Sequence, residues 1–375
     1  MKALITGSNW KIGIAAAYSL ARNGVTVIGT DEHKLPLNIH SRHLKAHYFN
    51  ALFSQDQFFD DIISIIKKEK PDVLLPIAGT KQISLHKSEI KKYVKLLVPD
   101  YESYIMVYDK KHAHKLCTDV GIAVPNRYSD EEANSILKNA ENLKLVIKPD
   151  FDIGGAKGLS IVSSINHLNI ARKYIESISS GYVIEEYIPG AMYAVQILFD
   201  KKNRLLEYFI LKKIHQWPVT GGITAYAISK CEYRFLEFFL PFFEKCPWEG
   251  PVEAELIIDE RNGSLKLIEI NPRFAGSIAF AIQCGINFPL TACRAAVSEH
   301  DFEITSNYEP GIFYINTSYY LKAILKEFRS AKSKSLFINQ ILKELKQKKV
   351  STLIDRRDFP VYIAKAINEL KTKIT

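Results

Sequence analysis

The sequence lacks several features that define large classes of protein. Its five cysteines include no CxxC pair, so we expect neither a zinc site nor a disulfide framework, and we expect a reducing compartment. No apolar run approaches the roughly 18 residues that a membrane-spanning helix needs. The chain starts at Met1 directly with a strand pattern and shows no signal-peptide cleavage region, which favours a cytoplasmic location.

Most of the chain also lacks a net charge. The whole sequence has 50 Lys and Arg against 41 Asp and Glu, a net charge of +9. Residues 311–375 hold 14 basic and 5 acidic residues, so residues 1–310 hold 36 of each. Because the body is balanced, we expect no nucleic-acid partner.

Strand and helix patterns alternate over the first hundred residues. Apolar runs at residues 25–28 and 71–77 read as strands, and residues 14–23 and 56–68 have helical periodicity. This alternation predicts a small α/β domain. The glycines of its first turn, Gly7 and Gly13, do not have the GxGxxG spacing of a dinucleotide-binding turn, so an NAD(P)-dependent oxidoreductase is only an alternative.

A glycine-rich loop follows a strand that has a lysine near its end. The strand covers residues 143–149 and includes Lys148, the loop covers residues 150–158, and a second strand pattern follows. Glycine loops between strands donate backbone N–H groups to phosphates. Lys148 and Lys157 favour a phosphate-binding loop over an ordinary hairpin loop.

The most informative stretch is Glu-Ile-Asn-Pro-Arg, in which Glu269, Asn271 and Arg273 alternate. Alternate residues of a strand leave the same face. An upstream apolar run contains Glu255, and an Asn-Gly turn between the two runs predicts a hairpin that brings the two carboxylates together. Carboxylate and amide oxygens suit Mg²⁺, and arginine suits an anionic phosphate or carboxylate. The alternative is an edge hairpin with exposed polar residues.

A polar loop at residues 212–222 is the candidate substrate pocket. Lys212 or Lys213 could bind a carboxylate. His215 could accept a proton from an amine, since its unperturbed pKa is about 6.5; the alternative is a histidine that only packs. Gly221 and Gly222 would let the backbone approach a ligand.

In this order, the elements resemble the ATP-grasp superfamily, in particular the carboxylate–amine ligases related to the carbamoyl-phosphate synthetase large subunit and biotin carboxylase. The resemblance covers about residues 1–300. It implies an α/β chain, α+β in part, with the ATP-grasp fold. The implied parts are a Rossmann-like pre-ATP-grasp domain (1–105), a lid subdomain with the glycine loop (106–188), an antiparallel-sheet subdomain with the metal site (189–310) and a basic helical C-terminal appendage (311–375).

The resemblance also implies ATP and Mg²⁺, with Mn²⁺ as a substitute. Lys110 and Lys148 look like the two ATP-binding lysines, and the loop would close over the phosphates. The remaining nucleotide-binding residues implied are Gly154, Gly155, Gly158, Glu185, Glu186 and Ile188. The sequence departs from the family at Met192, where relatives carry a glutamate for the ribose.

The implied activity is an amide-forming ligation of a small-molecule carboxylate and amine through an acyl phosphate, with ATP converted to ADP and phosphate. Glu255, Glu269 and Asn271 would hold the metal, and Arg273 would steady the acyl phosphate. The predicted catalytic set is Arg273 together with Lys212 and His215 of the polar loop. A non-catalytic nucleotide-binding protein with this fold is the alternative.

The basic C-terminal segment has apolar residues at helical spacings between residues 319 and 349. We expect this apolar stripe to pack on the ATP-binding body, with the lysines in solvent. Contact with an anionic membrane surface or an acidic partner is the alternative that we do not favour.

Overall fold

The computed structural model describes residues 1–32, 41–139, 143–151, 156–298 and 306–352, together with residues 355, 358 and 361. Within these ranges, no helix combines the length and the apolar character that crossing a membrane requires.

The N-terminal part is a parallel sheet with helices, as the alternation predicted. Its strands lie in the order β3-β2-β1-β4-β5, and all neighbouring pairs are parallel. The elements are β1 (Lys2–Thr6), α1 (Lys11–Arg22), β2 (Thr26–Asp31), β3 (Ala46–Phe49), α2 (Gln57–Glu69), β4 (Val73–Pro76), α3 (Thr80–Leu85), α4 (Lys87–Ile90) and β5 (Lys95–Leu96).

The next part contains a small antiparallel sheet in the order β6-β9-β7-β8. Asp109 begins α6 by accepting hydrogen bonds from the backbone N–H groups of Lys111 and His112, which is the role of an N-cap. The elements are α5 (Tyr101–Tyr108), α6 (Lys110–Asp119), β6 (Arg127–Tyr128), α7 (Asp130–Asn139), β7 (Leu145–Pro149), β8 (Ser160–Val162), α8 (Ile165–Glu176) and β9 (Tyr182–Glu186).

A seven-stranded sheet forms the third part, in the order β14-β13-β10-β11-β12-β15-β16. It is antiparallel except between its last two strands, and it includes the predicted hairpin as β13 and β14. The elements are β10 (Gly190–Phe199), β11 (Leu205–Trp217), β12 (Ile223–Lys230), α9 (Arg234–Lys245), β13 (Gly250–Asp259), β14 (Leu265–Asn271), α10 (Ile278–Gln283), α11 (Phe288–Val297), β15 (Phe313–Ile315), α12 (Thr317–Ser330), α13 (Lys334–Lys346) and β16 (Lys349–Ser351).

Both faces of the large sheet are buried. On β10, Ala194 and Leu198 share a core with α1, α10 and α11, whereas Val195 and Ile197 pack with the phenylalanines of α9. Because successive strand residues point to opposite faces, this one strand contributes to two cores. The sheet is therefore held between the N-terminal part and α9.

The C-terminal segment differs from its prediction in two ways. It contributes two strands, β15 and β16, which extend the large sheet. The prediction that its apolar stripe packs on the body is wrong for most of the stripe, because Leu321 and Leu325 are 58% and 64% exposed. The buried residues of α12 are Tyr320 and Ala323. The side of α12 that faces the body is set instead by Tyr320, Ala323 and a buried ion pair of Glu327.

Candidate functional site

A cavity of about 370 Å³ lies between the small sheet and the large sheet. Lys148 and Glu185 reach it from the small sheet, and Glu255 and Glu269 reach it from the large sheet. The strand before the glycine loop and the predicted hairpin, which lie far apart in the sequence, therefore meet at one cavity. Ligand sites are typically concave, with a few polar groups among apolar walls.

Lys148 is held in the cavity wall by a buried ion pair. Its Nζ lies 2.7 Å from Glu185 Oε2, and Arg127 Nη2 lies 3.0 Å from Glu185 Oε1. The antiparallel register places Glu185 diagonally across from Lys148, because Glu185 is paired with Val146. Burial raises the pKa of Glu185, but the two cations outweigh burial and lower it. The group of three therefore carries one net positive charge at neutral pH.

Lys110 joins the start of α6 to the hairpin. Its Nζ lies 3.2 Å from Glu269 Oε1 and donates a 3.1 Å hydrogen bond to the carbonyl of Pro149. Pro149 ends β7, directly after Lys148. The two lysines that the resemblance assigns to ATP thus stand at the same end of the cavity.

The floor of the cavity is the hairpin of β13 and β14. Glu255 is paired with Glu269, and Glu253 is paired with Asn271, so these four side chains leave the sheet on the cavity side. In the described part of the chain, no three His, Cys, Asp or Glu side chains gather as a metal-binding group. Two carboxylates and an amide oxygen nevertheless fit Mg²⁺, because this ion takes one or two protein carboxylates and completes its shell with phosphate and water.

Glu253 is a cavity residue that the sequence analysis missed. It is buried, and its Oε2 lies 4.0 Å from Arg273 Nη1. Burial raises its pKa to about 7, and the charge of Glu255 adds to the effect. The alternation of Glu253 and Glu255 along β13 was a visible signal, since a strand that presents one presents both on the same face.

Of the two lysines proposed for substrate, the structure brings Lys213 to the cavity and does not bring Lys212 there. Lys213 Nζ lies 2.6 Å from Glu255 Oε1 and 3.4 Å from the carbonyl of Gly222. Neighbouring strand residues face opposite sides, so only one of the pair could reach the site.

His215 is not among the cavity residues either, because α12 and α13 cover it. Its Nδ1 lies 2.7 Å from Glu327 Oε2, and its Nε2 lies 3.0 Å from Glu344 Oε1. Burial lowers its pKa, but hydrogen bonds and charges of the two glutamates outweigh burial and raise it to about 9. A raised pKa and a carboxylate near each ring nitrogen favour the protonated imidazole, which is a poor acceptor for a proton from an amine.

One part of the cavity wall is apolar. It is formed by Val146, Leu159, Ile161, Ile188, Met192 and Ile257. Glu186 lies at this end and is held by ion pairs with Arg261 and with Lys266, the latter at 3.0 Å. Met192 thus contributes apolar surface where the resemblance expects a carboxylate.

The described end of the glycine loop is closely packed. Gly158 has a φ of +78°, and a Cβ there would lie 2.9 Å from Pro149 Cγ, so glycine suits this position. Ala156 and Lys157 line the cavity, and Gly221 and Gly222 line it from β11–β12. Gly154 and Gly155, assigned to the phosphate loop, lie outside the described residues.

Comparison with known proteins identifies the central part of the chain. Residues 107–277 match the family model described as the ATP-grasp domain. The structure is also similar to solved structures over about four fifths of its length, at low sequence identity.

Three of these structures illustrate how similar the folds and the sequences are. The biotin carboxylase domain of 2-oxoglutarate carboxylase from Hydrogenobacter thermophilus, solved with MgADP, ADP and bicarbonate, has a TM-score of 0.66 at 15% identity, with 83% of this chain and 73% of that chain covered. N5-carboxyaminoimidazole synthetase from Staphylococcus aureus, complexed with ADP, has a TM-score of 0.63 at 18% identity, with 82% and 79% covered.

L-amino acid ligase from Bacillus licheniformis has a TM-score of 0.59 at 16% identity, with 79% of this chain and 74% of that chain covered. All three structures share only 15–18% identity with this chain, so the likeness concerns the fold. The part of the chain that carries the site, residues 107–277, matches the ATP-grasp domain family.

Proposed function

We propose that the chain is an ATP-dependent ligase that joins a small-molecule carboxylate to an amine, with Mg²⁺ as its metal. The observation that carries the proposal is the pairing of Glu255 with Glu269 on the floor of a cavity whose wall holds Lys110 and Lys148. The structural neighbours solved with ADP or MgADP support the nucleotide and the metal.

ATP fits the cavity with its adenine against the apolar wall and its phosphates toward the lysines. Ile188 and Met192 supply apolar surface at one end. Lys148 keeps a net positive charge beside the phosphates because Arg127 balances Glu185. Fixed cations that neutralise phosphoryl oxygens are the main protein contribution to phosphoryl transfer.

The charge of the cavity explains why a divalent cation is needed. Its lining contains five basic and five acidic side chains, namely Lys110, Lys148, Lys157, Lys213 and Arg273 against Glu185, Glu186, Glu253, Glu255 and Glu269. Such a wall offers a triphosphate no net positive charge. Mg²⁺ held by Glu255, Glu269 and Asn271 supplies that charge when it is bound.

In the structure, two ammonium groups hold the carboxylates proposed as metal ligands. Lys213 lies 2.6 Å from Glu255, and Lys110 lies 3.2 Å from Glu269. Once these carboxylates are shared with a cation, both lysines are available to anionic substrates. Lys213 and Arg273 are then placed to orient a substrate carboxylate, and Lys110 to contact phosphate.

This arrangement supports a reaction in two steps. A carboxylate oxygen of the acid attacks the γ-phosphorus, the bond from that phosphorus to the bridging oxygen breaks, and ADP leaves. The amine nitrogen then attacks the carbonyl carbon of the acyl phosphate, phosphate leaves, and the nitrogen loses a proton to the departing phosphate. Lys148 and Arg273 neutralise the charge on the transferred group.

Phosphate release tests the proposal. The full chain is incubated with ATP, Mg²⁺ and a panel of amino acids and small carboxylates, with and without added amines. Release that needs an acid and an amine together supports ligation. A second function, nucleotide binding without catalysis, is favoured by Met192 in the cavity wall; tight ATP binding without release for any pair in the panel would support it instead.

A further inference from the structure

The two C-terminal helices, α12 and α13, expose an unusual amount of apolar surface. We call residues 317–346 the basic hairpin. Leu336, Leu325 and Leu345 are 71%, 64% and 54% exposed. Among the described residues, 19 large hydrophobic side chains are exposed, and seven of them lie in the basic hairpin. Single exposed apolar residues are ordinary, but such a concentration marks an interaction site.

These side chains form one face on each helix. Leu321, Leu325 and Phe328 recur at intervals of four and three on α12, which places them on one side. The side of α12 that packs on the body carries Tyr320 and Ala323 instead. The exposed face is therefore additional to the one that attaches the helix.

The second helix repeats the arrangement. Ile338, Leu342 and Leu345 have the same spacing on α13 and are about half exposed. The buried residue of this helix is Glu344, which contacts His215. Each helix thus uses one side to hold the body and presents a second, apolar side.

The charges around these faces have one sign. The basic hairpin contains seven Lys and Arg and two glutamates. The glutamates, Glu327 and Glu344, are both engaged with His215. The charges that the basic hairpin presents to solvent are therefore positive, including the exposed Lys326, Lys343 and Lys346.

We propose that the basic hairpin is a docking surface for an anionic lipid membrane. Helices with leucine, isoleucine and phenylalanine on one face and lysines on the flanks lie in the membrane interface. Their lysine stems run along apolar surface while the ammonium groups reach lipid phosphates. Each basic residue near an anionic leaflet adds to the attraction.

A second copy of this chain fits the surface less well. A symmetric dimer places the same patch of both copies face to face. Seven basic residues would then meet seven basic residues, and like charges opposed across an interface cost affinity. An acidic protein partner would match the lysines, but acidic groups alone do not cover apolar faces of this extent on two helices. Lipid tails would cover these faces.

The docking surface is separate from the proposed active site. The residues that line the cavity lie between Lys110 and Ser277, and none belongs to the basic hairpin. Membrane binding should therefore need neither ATP nor Mg²⁺, so its failure and the failure of the ligase proposal can be distinguished.

The test is co-sedimentation of the full chain with vesicles. One set is made of phosphatidylcholine alone, and another contains about 30% phosphatidylserine. We expect binding to the anionic vesicles only, and we expect it to weaken at least tenfold as salt rises from about 0.05 to about 0.5 M, because salt screens surface charges.

Two variants locate the surface. Leu325→Asp with Leu342→Asp removes apolar contact, and Lys343→Glu with Lys346→Glu reverses charge; each should reduce binding at least tenfold. Ile170→Asp, at a position 59% exposed on α8, is the matched control and should bind as the parent does. A thermal unfolding scan of each variant checks that it is folded.

Three results would overturn the proposal. The first is equal binding to neutral and anionic vesicles, or none to either. The second is vesicle binding by the two hairpin variants that is as strong as that of the parent. The third is a dimer, seen by light scattering, that the leucine variant dissociates, which would assign the face to a second copy.

Discussion

Replacing His215 by glutamine tests the charged pocket that attaches the C-terminal helices to β11. His215 contacts Glu327 of α12 and Glu344 of α13. Tyr320 donates a 2.8 Å hydrogen bond to Glu344 Oε2, and Tyr226 donates one to the Glu344 carbonyl. A protonated His215 therefore holds two helices to one strand.

The magnitude follows from the pKa of His215. Its value in the fold is about 9, against about 6.5 in an unfolded chain, and this difference corresponds to about 3 kcal/mol of stability. Because the folded value is raised, the contribution is fully present below pH 6.5. It is lost as the pH rises through 9, where the folded protein also releases the proton.

Urea unfolding of the parent and of His215→Gln, followed by tryptophan fluorescence at several pH values, measures this contribution. The difference between the two unfolding free energies should shrink by about 3 kcal/mol between pH 6 and pH 10. His167→Gln, on an exposed position of α8, is the control and should track the parent throughout. Parallel curves for the parent and His215→Gln would refute the argument.

Two further predictions concern the cavity. Lys148→Met removes a cation from the cavity and leaves Glu185 buried with Arg127 alone. Calorimetry should therefore show a loss of ATP binding, and urea denaturation should show a loss of about 3 kcal/mol in the free energy of unfolding. Unchanged ATP affinity would contradict the role of this lysine. Gly190→Ala places a Cβ 1.9 Å from the carbonyl oxygen of Ile258, so β10 and β13 should move apart at the edge of the cavity. The variant should have a lower unfolding temperature and should bind nucleotide more weakly. A variant as stable as the parent would contradict that contact.

Local patterns in the sequence determined much of the site. The Asn-Gly turn and the alternating polar residues predicted a hairpin with Glu255 beside Glu269, and the register pairs these two residues. Lys148 at the end of a strand was equally visible. Both features depend on residues close in the sequence, where strand geometry fixes the side that each residue faces.

Other features depend on contacts that no local pattern contains. The partners of His215 lie 112 and 129 residues later in the chain, so its environment could not be read from the polar loop. Lys212 and Lys213 differ by one position, and strand register alone decides which enters the cavity. In α12, apolar spacing predicted a helix but could not show which of two apolar sides, that of Tyr320 or that of Leu325, faces the body.

The most direct test of the central claim is ATP binding with and without Mg²⁺, measured by calorimetry. In the proposed site, Glu255 and Glu269 share a divalent cation that carries the triphosphate. The parent should bind ATP at least tenfold more tightly with Mg²⁺, a difference of about 1.4 kcal/mol or more. Glu269→Gln should lose that gain, and Glu260→Gln, exposed after β13 in the turn of the same hairpin, should keep it. Equal affinity of the parent with and without Mg²⁺, or a Glu269→Gln variant that keeps the full gain, would contradict the account.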